Sequence, residues 1–565
     1  MLYLIKQLSY ALPGNPILME DYVKTDTPSR ISLRLALALL LTLFVSACSS
    51  VDTNSTTSST IATTLSTPIS TLEKILADQP PGTKKAIAGE PLPANQVLPL
   101  SFGLTYNDTA FEKDISQIYT PGSPAYRKYL TPEQITQRYA ISDQQLQQIQ
   151  NWLKQAGYTI ETVDALRSSI QVHATVGTIQ QSLGIQLKSY NLLGQSFYMQ
   201  DGTPKMPSTV AQLVQSIIGL DNFAVPQFRP PFALTKQNNA TLAGNCANYG
   251  AKQTLTRDKL AAAYQLDQLY HQNIQGQSMS IGIAEFSEPY DPADIANYTA
   301  CVGIPTPTIQ NVEIDGSVKP GPGAGEAAMD IELVAGLAPQ AQIFVYQAKI
   351  GNDYASFAKG LLDLFNRVAT DRRVQVLTVS YGASEDAFNT STMAAINRSL
   401  RTLGAEGVSV FISSGDCGAY SLRVHNLATV SFPASAPYAI SVGGTHLQVD
   451  DQNVRTSETA WGKDNQAAMC QNEWGSGGGV YKLCCFHNCL PTAASLGSQR
   501  FTSATRHFSS SISKYCDLLS RLMGCSGRYK RVSTYRGGGY CARRSGTQSG
   551  RQTSAWWCPN VLPGG

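Results

Sequence analysis

From about residue 251 onward, short apolar runs alternate with helical stretches, and this alternation narrows the possible fold more than anything else in the chain. The runs are Ser278 to Phe286, Gln342 to Ala348, Val374 to Tyr381, Val408 to Ser413 and Ala439 to Val442. Each is short and nearly continuous, as strands buried on both faces are. Helical stretches lie between several of them, including Tyr354 to Asp371 and Ser391 to Glu406. The order predicts an α/β fold, a parallel sheet with helices on both faces. Loops at the carboxyl ends of such strands build the site. Glu285, near the end of the first run, and Asp416, just after the Val408 run, stand at such ends.

At 565 residues the chain exceeds one ordinary domain. Residues 49–88 are a Ser/Thr/Pro-rich linker without periodic apolar positions. Residues 89–225 read as a small α+β unit with no catalytic constellation. There, Thr131-Pro132-Glu133-Gln134 combines a cap, a proline at the first helical position and a glutamine at the third. Ser142 with Gln145 is a second capping box, opening a helix with Leu146, Ile149, Trp152 and Leu153 on its apolar side and Gly157 at its close. Residues 226–250, with Pro, Asn and Gly, form an exposed junction. The α/β region occupies 251–480, and 481–565 is a tail of different character.

Charge marks that last boundary. The chain has 43 Lys+Arg and 40 Asp+Glu, a net of +3. From Tyr481 to the end there are twelve Lys+Arg and one acidic residue, Asp517, which leaves 31 basic against 39 acidic residues before it. The first 480 residues are therefore mildly acidic and carry no expectation of nucleic-acid binding. The tail also holds seven of the twelve cysteines and is expected to be irregular. Cys484, Cys485, His487 and Cys489 are too crowded for the usual zinc-finger spacing. Gly321 to Gly325 lacks the lysine of a phosphate loop.

Lys24, Arg30 and Arg34 precede an apolar run, Leu35 to Ala47, too short to span a bilayer as a helix and laid out like an export signal. Val45-Ser46-Ala47-Cys48 resembles a bacterial lipobox, which would place a lipid anchor on Cys48 of a 1–48 leader; an ordinary signal with a coincidental cysteine is the plainer alternative. The long stretch before Met19 makes that residue a candidate start. An exported protein can form disulfides. Cys246, Cys301, Cys417 and Cys470 are available, with their connectivity left open.

The run Gly325-Glu326-Ala-Ala-Met-Asp330-Ile-Glu-Leu-Val-Ala-Gly336 places Glu326 and Asp330 four apart, on one helix face. No Lys or Arg stands nearby in sequence. Two such carboxylates repel, which can raise one pKa toward working pH and point to acid–base chemistry. The plain reading is an exposed acidic face at a helix start, where Glu is welcome in any case. Asp416, in Ser413-Ser414-Gly415-Asp416-Cys417-Gly418, is either a turn former or a protonated acid able to donate to an oxyanion.

Together with Phe432-Pro-Ala-Ser-Ala-Pro-Tyr438, Val442-Gly-Gly-Thr445 and Ser476-Gly-Gly-Gly-Val480, these motifs resemble the sedolisin family of serine-carboxyl peptidases. Tyr119 to Pro132 is similar to that family's activation propeptide. The resemblance covers about 90 to 480. It implies a subtilisin-like sheet preceded by an α+β propeptide, and endopeptidase action on polypeptides in acid. It implies Glu326 as general base, Asp330 as its orienting, proton-sharing partner, Asp416 as oxyanion stabiliser and Glu285 as an extension of the carboxylate network. The propeptide would inhibit its own enzyme. A subtilase with an imidazole base would want a histidine on the Glu326 helix, but His271, His425 and His446, the histidines between 251 and 480, lie elsewhere.

The family's Ser-Gly-Thr-Ser-x-x-x-Pro nucleophile motif is not found. Ser545-Gly546-Thr547 is followed by Gln548, and Thr553-Ser554-Ala555 has Pro559 one residue late. The structural calcium that the family implies also lacks its acidic ligands here, Asp517 being the single carboxylate of the tail. A reading-frame shift near residue 480 explains the break; a genuine divergent basic extension is the competing account. The first predicts that another frame of the DNA downstream of codons 475 to 485 restores both a Ser-Gly-Thr-Ser motif and an acidic loop. If no frame restores them, the shift is rejected.

Overall fold

The computed structural model describes residues 78–226, 256–319, 325–351, 356–420, 428–462 and 474–478, and the backbone of 72–74, 533–534, 540–548 and 551–557. All of these lie in one compact unit that begins at Leu72. The leader with Cys48, most of the junction, Tyr354 and the Cys484–Cys489 cluster lie outside the described residues.

The N-terminal part is α+β. Its strands include β1 (Ile87–Pro91), β2 (Val97–Leu104), β3 (Thr159–Val163), β4 (Ser169–Thr175), β5 (Gln186–Leu192), β6 (Gln195–Asp201) and β7 (Val214–Ile218). Four form an antiparallel sheet in the order β3-β4-β2-β7, and three a second sheet, β1-β5-β6. Helix α1 (Asp108–Tyr119) follows β2. Helices α2 (Pro132–Tyr139) and α3 (Asp143–Gln155) start where the sequence places caps: Thr131 with Gln134 and Ser142 with Gln145 each form a complete capping box. Ile149 and Leu153 of α3 are fully buried against the sheet, with Leu146 and Trp152 packed beside them.

The second part is a six-stranded sheet flanked by helices. Its elements are β8 (Ser280–Phe286), α4 (Pro292–Val302), β9 (Ile309–Ile314), α5 (Glu326–Leu337), β10 (Gln342–Ala348), α6 (Phe357–Asp371), β11 (Val376–Val379), α7 (Thr390–Ala405), β12 (Ser409–Ser413) and β13 (Ile440–Val442). Every pairing in the order β9-β10-β8-β11-β12-β13 is parallel. In β8 and β10 all residues but the first are buried, which accounts for their unbroken apolar sequence. β13 departs from the expectation of a buried strand. It forms an edge of the sheet, and Val442 is 41% exposed.

The tail also departs from the irregular character expected of it. Ser533–Thr534, β14 (Tyr540–Gln548) and β15 (Arg551–Trp557) make a three-stranded antiparallel sheet, in which Ser545 pairs with Ser554. Backbone pairing needs no apolar face, so charge composition alone does not forecast it.

The two parts share one apolar core. Phe111, Ile115 and Ile118 of α1 belong to the same cluster as Leu361, Phe365, Ile396 and Leu400 of α6 and α7. Polar groups stud this contact. Arg398 holds Asp108 through both carboxylate oxygens at 3.1 and 2.8 Å and donates to the Leu104 carbonyl at 2.6 Å. Arg401 also bonds Asp108, and reaches Glu112 at 3.3 Å. Ser101 donates to Asp363 at 3.2 Å, and Asn366 to Ser169 at 3.2 Å. Arg398→Ala removes hydrogen bonds to a half-exposed Asp108, which keeps Arg401, and to the Leu104 carbonyl; it is expected to cost about 1.5 kcal/mol, read as a lower denaturant midpoint and earlier proteolytic release of the N-terminal part. An unchanged midpoint would show that Arg398 does not hold the two parts together.

Candidate active site

Helix α5 begins immediately after Gly325, whose φ of +99° suits glycine far better than a residue with a Cβ. No side chain caps this helix from the N-cap position. Instead the Gly325 N–H donates to Glu288 Oε1 at 2.9 Å. Glu326 thus occupies the first helical position and Asp330 follows one turn later, half-buried and buried respectively. Glu285 arrives from the carboxyl end of β8 and is fully buried. It sits beside Gln347 of β10 in the sheet register.

Two hydroxyls complete the cluster, and both come from the residues directly after β11. Ser380 donates to Asp330 Oδ2 at 2.6 Å. Tyr381 donates to Glu285 Oε2 at 2.9 Å. The other Glu285 oxygen is buried without a hydrogen-bond partner. Ser380, Tyr381 and Glu288 were missed in the sequence, although Ser380 carries the same positional signal as Glu285: the carboxyl end of a buried parallel strand.

Asp416 follows Gly415, which adopts φ +92° just beyond β12. Three sequence motifs meet at this loop. Ser414 N–H bonds to Val442 O at 2.8 Å, Gly475 N–H to Asp416 O at 2.8 Å, and Gly444 N–H to Ser476 Oγ at 3.1 Å. A Cβ on Gly477 would lie 1.8 Å from the Ser414 carbonyl oxygen, so this approach demands glycine. Cys301 and Cys417 are each disulfide-bonded, while Cys246 and Cys470 lie outside the described residues.

Burial dominates the electrostatics. It pushes Glu326 up to about 7, helped by repulsion from Asp330 and Asp416 and opposed by hydrogen bonding from Ser380. The helix N-terminus would favour the carboxylate, but desolvation and two neighbouring acids outweigh it. Asp330 rises to about 6 through burial, again opposed by Ser380. Glu285 is held well above the usual carboxylate range by burial, then by Asp330, against the Tyr381 hydrogen bond. Carboxyls this close titrate as a pair, and Asp330 ionises first. The structure therefore brings Glu326, Asp330, Glu285 and Asp416 into one electrostatic neighbourhood. Chemically, such a group can exchange a proton in weak acid, where an imidazole is already charged.

Among the described residues no three acidic, imidazole or thiol side chains converge as metal donors, and Asp517 lies outside them. The described side chains thus do not fit the many-oxygen shell of a calcium site.

Comparison with known proteins gives the same frame. The pro-kumamolisin activation domain matches residues 84–223, and the subtilase family matches residues 318–554. The second match passes beyond Tyr481, where the motif-by-motif resemblance stops. Kumamolisin from Bacillus sp. (strain MN-32) is 26% identical over 366 residues, 64% of this chain and 63% of that protein. Sedolisin from Pseudomonas sp. (strain 101) is 27% identical over 406 residues, 69% of this chain and 66% of that protein. The chain thus spans somewhat less than two thirds of the length of these relatives. A solved Pseudomonas sedolisin, described as a serine-carboxyl proteinase complexed with two molecules of pseudo-iodotyrostatin, aligns at 26% identity and a TM-score of 0.35, over 41% of this chain and 64% of that one. Fold and matches define an activation domain joined to a subtilase-type domain. The chain is similar to members of the sedolisin family over both parts.

The carboxyl pair sets a pH signature. Glu326 has an ordinary value of 4.5 and a folded value of about 7. Below both values the group is protonated in either state and costs nothing. As pH rises through 4.5 toward 7, the folded state binds the extra proton, so this group's contribution to stability falls. Asp330 acts in the same sense between 3.8 and about 6. Glu326→Gln and Asp330→Asn should each flatten the decline of the denaturant midpoint across these windows. A decline as steep in both variants as in the parent would refute the assignment.

Proposed function

We infer that this chain is the zymogen of an acid-acting serine-carboxyl endopeptidase, inactive as written because its nucleophilic serine is missing. The observation that carries the reading is the carboxyl pair on α5, raised by burial and set beside Asp416. In this reading Glu326 is the general base for a serine hydroxyl. Asp330 orients Glu326 and shares its proton. Asp416 stabilises the oxyanion, and Glu285 extends the network behind Asp330. A carboxyl pair keeps basic capacity in acid, and a neutral acid can donate to developing negative charge. The substrates are polypeptides, and the activation domain acts as the enzyme's own inhibitor.

The missing nucleophile limits all of this, since a base without a hydroxyl in reach activates nothing. Neither partial motif match lies in a strand-to-helix turn: Gln548, at the nucleophile position of the first, and Ser554 of the second both fall inside paired strands. That placement favours a second reading, a pseudoenzyme that binds peptides through an incomplete peptidase fold. The leader motif supports export with a lipid anchor on Cys48, and the disulfides at Cys301 and Cys417 suit an oxidising compartment.

Casein digestion at acidic pH tests the missing nucleophile and the assigned base. The chain as written is expected to leave casein intact. Digestion would reveal a nucleophile after all, and Glu326→Gln should then abolish it. Digestion that survives Glu326→Gln would reject Glu326 as the base.

A further inference from the structure

We propose that Glu288 is a positioning residue, whose side chain caps helix α5 from the loop after β8 and so fixes where Glu326 stands. The inference rests on the reading of Glu326 as the base. Helices can draw such a cap from within. The residue at N3 reaches back to the N–H of the N-cap, as Gln134 does on α2 and Gln145 on α3. On α5 the N3 position is Ala328, which has no side-chain acceptor, and the N-cap Gly325 has no side chain at all. Glu288 supplies the missing half, taking the Gly325 N–H on Oε1 at 2.9 Å across 37 positions of sequence. Glu326 is the next residue, so the cap closes directly before the assigned base.

The capping group is itself mounted on β10 and the residues after it. Ser287 N–H donates to the Ala348 carbonyl at 2.9 Å. Ser287 Oγ donates to the Ile350 carbonyl and accepts the Ile350 N–H, each at 2.7 Å. Gln347 Nε2 donates to the Glu288 carbonyl at 3.1 Å. These contacts hold Ser287 at φ +56°, a conformation that a residue with a Cβ seldom takes. A loop over-determined in this way keeps its side chain in one place, which is what support of a reacting group requires. A carboxylate also suits the positive end of a helix. Its charge reaches the base. Burial raises the Glu326 carboxyl most, Asp330 on the same helix, Asp416 from the loop after β12 and Glu288 add to the rise, and Ser380 opposes it. Glu285 from β8 and Tyr381 after β11 also feel both Glu326 and Glu288.

Two variants of the full-length chain separate the cap from the charge without requiring turnover. Hydrogen exchange resolved to the Gly325 amide reads the cap. Infrared titration reads Glu326, its carboxyl band assigned by loss in Glu326→Gln. Glu288→Gln keeps the acceptor and removes the charge. The Gly325 amide should stay protected, while the Glu326 midpoint falls by about half a pH unit. Glu288→Ala removes both, so the midpoint should fall and the amide should lose protection by about tenfold. A circular dichroism spectrum matching the parent establishes that the variants are folded. Should Glu288→Ala not fold, Glu288→Asp replaces it for the exchange measurement, since its shorter stem withdraws the acceptor. An amide as protected in these shortened variants as in the parent refutes the cap, and so does an amide deprotected in Glu288→Gln. A Glu326 midpoint unmoved in Glu288→Gln overturns the role of Glu288 at the base. Either failure would leave the casein test of Glu326 standing. Conversely, a casein result independent of Glu326 would leave the cap intact.

Discussion

Negative charge placed in a desolvated pocket, with no cation paired to it among the described residues, is the constraint on which this site depends. The fold does neutralise buried acids elsewhere. Lys359 of α6, only 1% exposed, reaches Asp315 at 2.7 Å and Asp363 at 2.5 Å. There the lysine keeps its own proton, while burial and Asp363 still push Asp315 up to about 8. At α5 the fold supplies hydroxyls and a backbone N–H instead. Ser380, Tyr381 and Gly325 each satisfy a carboxylate oxygen without delivering positive charge. Hydrogen bonds lower a carboxyl pKa less than a buried cation does, and burial raises it. The balance leaves Glu326 and Asp330 within reach of weakly acidic pH.

The same contrast separates the site from the contact between the two parts of the molecule. Arg398 and Arg401 on α7 meet Asp108 and Glu112 on α1 in ion pairs. Asp108 is held low by those arginines against the cost of its burial. It stays ionised through the pH range in which Glu326 gains its proton. Acidification therefore changes the site before it weakens this contact. The polar faces of α6 and α7, with Lys359, Asp363, Asn366, Arg398 and Ser399 all buried, are also unlike a permanent apolar interface. A surface so composed is compatible with water as well as with its present cover.

The sheet was largely legible because buried parallel strands are apolar along their whole length. Gln342–Ala348 was read to the residue, and the ends of β8, β11 and β12 shifted by only one or two positions. The capping boxes at Thr131 and Ser142 were legible for a local reason: cap chemistry acts within four residues. The edge character of β13 was not, since exposure is decided by what lies beside a strand. Ser380 and Tyr381 were hidden for a related reason. A serine or tyrosine is unremarkable in sequence, and its importance here comes from partners fifty and ninety-six positions away. Asp416 keeps both of its readings, turn former and oxyanion stabiliser, because a short Gly-Asp loop after a strand suits either.

The tail poses a different question, one of geometry more than composition. A nucleophile must come within hydrogen-bond reach of Glu326 to be activated by it. In open α/β sheets that approach is made by a loop or helix start at the carboxyl ends of the strands. Residues inside β14 and β15 are tied by backbone pairing to one another, Ser545 to Ser554 among them. Bringing either hydroxyl to the base would require breaking that pairing and rebuilding the segment as a turn. The subtilase match through residue 554 places sequence of the right extent after the sheet. Among the described residues of the tail, both Ser545 and Ser554 stand in paired strands and not at a turn.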